Sequence, residues 1–128
     1  MHIVDAHGAL RMRDGRLSRW SFARPGTAHM ADFEWDPAKE EKNVRERDLD
    51  FTMASRIWDR PVLEMIDGRR DYGETRIMAF GKIDGRLIAV LFTWRGVRRR
   101  IISARKANRR EQRRFEAEIR NGPAPLSD

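Results

Sequence analysis

The apolar residues beyond Ala31 recur first at helical spacing and then at strand spacing. An alternating segment at 33–35 predicts a short strand, and Asp36-Pro37 supplies an N-cap and a proline suited to the first turn of a helix. That helix should end near Arg47 and lie on the surface, because it contains few apolar residues. A second, shorter helix should begin after the cap residue Asp50. Its core-facing residues fall at helical spacing and are Phe51, Ala54, Ile57 and Trp58.

Three strands should follow these helices. The first covers 62–66 and the second covers 75–83. Asp84-Gly85 is a strong two-residue hairpin signal, so the second strand should turn directly into a third at 87–94. Because that third strand is apolar on both faces, we predict that it is central in its sheet and covered on both sides.

A strongly basic segment runs from 94 to 114. It contains ten Lys/Arg and one acid, a local charge of +9 in a chain whose net charge is +7, so the remaining residues sum to −2. Concentrated arginine with two embedded isoleucines indicates a folded face that binds a polyanion, above all nucleic acid. The alternative is a solvated, arginine-rich surface.

The first part of this basic segment should be a strand and the second part a helix. Alternate residues of an ideal strand share a face. One face would then carry Arg99, Ile101, Ser103 and Arg105, and the other would carry Arg98, Arg100, Ile102 and Ala104. Asn108 and Glu111 form a capping-box variant that opens a helix to Arg120. The inward residues of that helix should be Phe115 and Ile119.

The order of elements predicts an α+β domain with a mainly antiparallel sheet. At 128 residues the chain has room for one domain, which we place at 32–122. Residues 1–31 lack a sustained period and are predicted to be an N-terminal extension outside the core, and residues 123–128 a C-terminal tail. The chain has no cysteine, and its longest nearly apolar run, 87–94, is too short to cross a membrane. We therefore expect a cytoplasmic protein with no disulfide and no membrane contact.

Three stretches resemble the BrnT family of bacterial type II toxins. They are FEWDPAKEEKNVRERDLDF from Phe33, GETRIMAFGKIDGRLIAVLFTWRG from Gly73 and RRIISARKANRRE from Arg99. The resemblance implies a RelE-like fold, a ribonuclease activity that stops translation, and neutralisation by a BrnA-like antitoxin with a DNA-binding domain. Promoter DNA would then be bound only through the complex of the two proteins. The chain departs from the family at Glu46-Arg47-Asp48, where members commonly read Lys-His-Gly.

RNA cleavage by the RNA's own 2′-hydroxyl requires a base, cations that stabilise the charged phosphorane, and a proton for the leaving oxygen. The three histidines, His2, His7 and His29, lie outside the predicted domain, and no set of carboxylates has metal-ligand spacing. The sequence therefore predicts a site without metal or cofactor. The predicted catalytic residues are Glu74, as the base, with Arg76, Arg95 and Arg105. The predicted substrate-binding residues are Arg98, Arg100, Ser103, Lys106, Arg109 and Arg110.

Each assignment has a structural alternative. Glu74 and Arg76 are two residues apart and would lie on one strand face, where they would equally form a plain surface ion pair. Ser103 suits packing at least as well as binding, and the basic helix equally suits contacts with an acidic antitoxin. For the whole protein, the alternative to a ribonuclease toxin is a non-catalytic nucleic-acid-binding or regulatory module.

Overall fold

The computed structural model describes residues 32–67 and 73–121, together with the backbones of three short strands nearer the N-terminus. Those three strands are β1 (Ile3–Val4), β2 (Leu10–Arg11) and β3 (Ser21–Ala23). The elements that follow are β4 (Phe33–Trp35), α1 (Pro37–Arg47), α2 (Phe51–Ser55), a 3-10 helix (Arg56–Asp59), β5 (Val62–Asp67), β6 (Arg76–Ile83), β7 (Arg86–Arg95), β8 (Arg98–Lys106) and α3 (Arg109–Asn121).

Six of these strands form one sheet in the order β3-β5-β6-β7-β8-β4. All neighbours in it are antiparallel except β4, which lies parallel to β8 at the sheet edge. The predicted α+β architecture with a mainly antiparallel sheet is confirmed. Most of the predicted extension at 1–31 lies outside the described residues, but β3 adds an edge strand to this sheet by pairing with β5.

Apolar residues cover both faces of β7, as its sequence predicts. On one face, which we call the α2 face, the helical residues Phe51, Ile57 and Trp58 pack with Val90 and Phe92 of β7. On the opposite face, the α3 face, Phe115 of α3 packs in a second cluster. The other members of that cluster include Leu63, Phe80, Leu87 and Ala89.

Close packing of the 3-10 helix on β6 depends on a glycine. A Cβ added at Gly81 would lie 2.7 Å from the Cβ of Ile57, so any larger residue would push the two elements apart. At the neighbouring turn, Asp84 and Gly85 both take positive φ values, 51° and 81°, as a type I′ hairpin requires. The hairpin predicted from these two residues is confirmed.

The helices begin at the predicted caps. The Asp36 side chain accepts a hydrogen bond from the Ala38 N–H at 2.9 Å, and Asp50 accepts one from the Met53 N–H at 2.6 Å. At its other end α1 stops at Asp48, whose φ of 58° lies in the left-handed region usually occupied by glycine. The helix thus ends in a left-handed turn although residue 48 is not a glycine.

One predicted inward residue of α3 is wrong. Phe115 is buried, but the side chain of Ile119 is 51% exposed. The cluster on the α3 face includes Phe115 and does not extend to the next helical turn, so Ile119 gains no apolar partner from the sheet.

The predicted faces of β8 are also wrong beyond Ile102, because the strand contains a β-bulge. Ser103 lies opposite Leu91 while Ile101 lies opposite Phe92, which leaves Ile102 as an extra residue. The insertion reverses the alternation, so Ile101 and Ala104 are both buried on the α2 face. The polar residues of β8 on the α3 face are Arg98, Arg100, Ser103 and Arg105, which face the same side as their β7 partners Arg95, Thr93, Leu91 and Ala89.

Candidate functional site

Five polar residues form a single row across the sheet on the α3 face. Strand register places Asp67 beside Arg76, Arg76 beside Thr93, Thr93 beside Arg100, and Arg100 beside Glu34. We call this set the polar row. Neighbouring strands are about 4.8 Å apart, so the two arginines start about 10 Å apart and flank the central threonine. Each arginine has a carboxylate on its outer side.

The centre and one flank of the polar row are fixed by hydrogen bonds. Thr93 is only 2% exposed, and its hydroxyl donates to the carbonyl oxygen of Thr75 at 2.7 Å. Arg100 donates through Nη1 to Oε2 of Glu34 at 2.6 Å, a charge-assisted bond between partly exposed side chains. This pair fixes the direction of the Arg100 guanidinium while leaving part of it accessible.

Three of the predicted catalytic residues come together at the other flank. Oε1 of Glu74 lies 3.6 Å from Nε of Arg76, and Oε2 lies 3.3 Å from Nη2 of Arg95. Arg95 reaches this position because it ends β7, just before a turn in which Gly96 has a φ of +61°. The side chain of Arg95 is 54% exposed, so the cluster opens to solvent.

Positive charge is concentrated where the β7–β8 hairpin ends. Arg95 and Arg98 lie directly opposite each other on the two strands. Like charges at such a position destabilise a sheet, and a bound anion would relieve that repulsion. The arginines of the polar row lie next to this pair on the same face, so the hairpin end and the row form one cationic face with Glu74 at its side.

Arg105, the fourth predicted catalytic residue, is placed elsewhere. It lies opposite Ala89, which is four residues along β7 from Thr93. Arg105 is therefore about 14 Å from the polar row. Its guanidinium binds both carboxylate oxygens of Glu111, at 2.7 and 2.8 Å. Glu111 also accepts the Asn108 N–H in the predicted capping box, which is confirmed. Arg105 thus joins β8 to the start of α3.

The predicted substrate-binding residues divide among three places. Arg98 and Arg100 belong to the cationic face. Ser103 lies half-buried on the same face, between the polar row and Arg105. Lys106 lies opposite Ile88, on the α2 side of the sheet. The remaining two, Arg109 and Arg110, are exposed in the first turn of α3.

The sequence from 35 to 111 matches a family described as the ribonuclease toxin BrnT of type II toxin–antitoxin systems. The match spans more than half of the chain and includes both strands of the β7–β8 hairpin. The chain belongs to the BrnT family. Membership makes it a ribonuclease toxin of a type II system, with RNA as substrate and an antitoxin as partner. A comparison with curated proteins gives no match.

Sequence reasoning missed three members of the polar row: Glu34, Thr93 and Asp67. Glu34 lies one residue before the matched region, and only the parallel pairing of β4 with β8 brings it to Arg100. Thr93 carried a weak signal, since it is the one hydroxyl in the otherwise apolar strand at 87–94. Asp67, at the far end of the row, is 8% exposed.

A separate buried charge lies on the α2 face, on the opposite side of the sheet from the cationic face. The Arg99 guanidinium carbon is 4.6 Å from the ring centre of Trp94 and 4.8 Å from that of Trp58. Glu64 accepts the indole N–H of Trp58 at 3.2 Å. Burial raises the pKa of Glu64, against the opposing effects of Arg99 and the Trp58 hydrogen bond. Burial likewise lowers the pKa of Arg99, opposed by Glu64 and Asp32.

Within 32–67 and 73–121, no three His, Cys, Asp or Glu side chains group closely enough to hold a metal ion. In the same part of the chain, no helix is both long and apolar enough to cross a bilayer.

Proposed function

We propose that this BrnT chain is a metal-independent endoribonuclease that cleaves RNA at the cationic face and thereby inhibits translation. The observation that supports this most directly is the polar row, with Glu74 and Arg95 beside it. It offers fixed guanidinium groups on both sides of a space open to solvent and a carboxylate in contact with two of those groups.

The arginines would bind and stabilise the phosphate. A guanidinium presents parallel N–H groups that match phosphate oxygens, and it stays charged at every physiological pH. Arg76 and Arg100 would hold the scissile phosphate from opposite sides, and Arg95 would approach it from the hairpin end. As the 2′-oxygen attacks, negative charge develops on the phosphorane oxygens, where prepositioned cations stabilise the transition state most.

Glu74 is our candidate base. It would accept the proton of the 2′-hydroxyl while that oxygen forms a bond to phosphorus and the bond from phosphorus to the 5′-oxygen breaks. The products would be a 2′,3′-cyclic phosphate and a 5′-hydroxyl, whose oxygen takes its proton from water in the open site. The hydroxide left behind would take the proton from Glu74, which restores the base. A carboxylate is a weak base, so we expect modest turnover.

The direct test is to incubate purified protein with RNA in EDTA. Wild-type protein should cleave, and Glu74→Gln should lower kcat by about 100- to 10 000-fold, the usual contribution of a general base. Glu116→Gln is the matched control, because Glu116 of α3 forms an exposed ion pair with Lys82 of β6. Unchanged cleavage by Glu74→Gln would exclude it as the base. Loss of cleavage in EDTA with recovery on adding a divalent ion would overturn the metal-independent site.

RNA binding gives a second and independent measurement. Each phosphate that the cationic face neutralises should contribute about −0.7 to the slope of log affinity against log salt for single-stranded RNA. A salt-insensitive affinity would contradict the electrostatic role of this face. Steeply salt-dependent binding without any cleavage would instead indicate the alternative function, a non-catalytic nucleic-acid-binding module.

We further propose that a BrnA-like antitoxin covers the cationic face with acidic residues and competes with RNA. Its own DNA-binding domain would then carry the complex to promoter DNA. The double variant Arg95→Glu with Arg98→Glu should weaken the binding of both antitoxin and RNA, because both side chains are exposed. The matched control reverses two exposed arginines elsewhere, Arg45 and Arg60. Full antitoxin affinity with lost RNA binding would place inhibition on another surface.

A further inference from the structure

A buried asparagine joins the helical layer to the strand that carries the cationic face. Asn43 of α1 is only 4% exposed. Its Oδ1 accepts the backbone N–H of Ala104 at 3.0 Å, and its Nδ2 donates to the carbonyl oxygen of Leu49 at 2.8 Å. Arg47 donates to the same Oδ1 at 3.4 Å. One amide therefore connects α1, the turn that leads to α2, and β8.

Asn43 replaces a strand that is missing from this edge. β4 pairs with β8 only at 99–101, so the outer edge of β8 beyond that point has no strand partner among the described residues. Ala104 is fully buried, and an unpaired N–H there would cost about 1–3 kcal/mol. The asparagine oxygen satisfies that donor.

The two contacts on the outer edge of β8 lie on either side of the bulge. β4 holds 99–101, Asn43 holds Ala104, and the extra residue Ile102 falls between them. Removing a bulge shifts the alternation by one residue, so the two halves of the strand would present opposite faces. Arg98 and Arg100 would then no longer share a face with Ser103 and Arg105.

We infer that Asn43 is a positioning residue, which holds the β8 bulge and so keeps the cations of both halves of that strand on one face of the sheet. The inference rests on the proposed function only because RNA affinity is used to measure whether the cations still share one face. The bulge can also be followed without RNA, through hydrogen exchange of the Ala104 amide.

The experiment compares Asn43→Leu, Asn43→Asp and the control Asp50→Ala. Leucine removes both hydrogen bonds at similar volume, and aspartate keeps the Oδ1 acceptor. Asp50→Ala removes the cap of the neighbouring helix α2 without touching β8, with a cost of about 1 kcal/mol. Asn43→Leu should lose hydrogen-exchange protection at the Ala104 amide and bind RNA about tenfold more weakly. The slope of its log affinity against log salt should become shallower by about 0.7 for each phosphate that the protein no longer neutralises. Asn43→Asp should keep the wild-type salt slope, and Asp50→Ala should keep both protection and slope.

Each outcome decides a different point. Wild-type RNA affinity in Asn43→Leu, with fast exchange at Ala104, would overturn the positioning role. An equal loss in Asp50→Ala would show that any weakening of this layer has the same effect, which also overturns it. If Asn43→Leu does not fold, loss of Ala104 protection in Asn43→Asp would count against the proposed bond. Failure of wild-type protein to bind RNA would contradict the proposed function, while the exchange measurement would still test the bulge.

Discussion

Replacing Arg99 with methionine should be among the most destabilising single charge removals in the described part of the chain. Its guanidinium lies over the indole rings of both Trp58 and Trp94 and is 5.6 Å from the ring centre of Phe92. It also compensates the charge of Glu64, which is 6% exposed. Methionine fills much of the same space but carries no charge.

Two losses add up in this variant. A desolvated cation above an indole contributes about 2 kcal/mol. Removing Arg99 also leaves the buried Glu64 carboxylate uncompensated, and breaking a fully buried charge pair costs about 3–5 kcal/mol. Because Arg99 is only partly buried, we take this range as the total for both losses. For a chain of this size that corresponds to a fall in Tm of roughly 12–20 °C, at roughly 4 °C per kcal/mol.

Denaturant unfolding of a double-mutant cycle tests this reasoning. Arg98→Met is the control, because Arg98 is the exposed neighbour on the opposite face and should change stability by less than about 0.5 kcal/mol. In a Glu64→Gln background, Arg99→Met should cost about 1–3 kcal/mol less, since no buried carboxylate then needs a partner. If Arg99→Met costs no more than Arg98→Met, or if the cycle is additive, the buried pair does not stabilise the sheet.

Three further predictions concern stability. Burial raises the pKa of Glu64, so its favourable contribution is complete below the unfolded pKa of about 4.3 and is lost as pH rises through the folded pKa. Glu64→Gln should therefore gain stability relative to wild type as pH rises above about 4.3, and a pH-independent difference would contradict this. Asp48→Gly should raise the free energy of unfolding by about 0.5–1 kcal/mol, because glycine adopts the left-handed conformation without strain; a decrease in the denaturant midpoint would show that the Asp48 side chain is itself stabilising. Deleting residues 1–19 should leave Tm unchanged, whereas deleting residues 1–29 should lower Tm by a few degrees, because β5 then loses its edge partner β3. Equal Tm values for the two deletions would show that β3 does not stabilise the domain.

Local signals were sufficient to predict most of the fold. The caps Asp36 and Asp50 and the Asp84-Gly85 turn each act within a few residues, and the structure places elements at all three. The grouping of Glu74 with Arg76 was likewise predictable from spacing. Their ion pair is present, although Glu74 precedes β6 and does not lie on the strand.

Features that depend on distant contacts were not predictable. Ile101 and Ile102 are equally apolar, so the sequence does not say which of them points into the core, and the bulge is settled only by pairing with β7. The partner of Arg100, Glu34, lies 66 residues away. It is on a strand that pairs in parallel with β8, and no turn residues in the sequence indicate such a pairing. Asn43 reads as an ordinary polar residue on a surface helix, because its hydrogen-bond partner is 61 residues further along the chain.

The parallel pairing of β4 with β8 determines when the cationic face can form during synthesis of the chain. Strands β5 to β8 are sequential neighbours and can pair through short connections, whereas β4 must wait for β8, which is made almost last. A nascent chain that ends before Arg98 has no β8 to pair with β4. Such a chain therefore lacks both the Arg100–Glu34 ion pair and the Arg95–Arg98 pair at the end of the β7–β8 hairpin. We expect ribosome-bound chains truncated before Arg98 to leave RNA intact, and cleavage by such chains would contradict this order of assembly. On the proposed function, ribonuclease activity would therefore appear only after β8 has been synthesised.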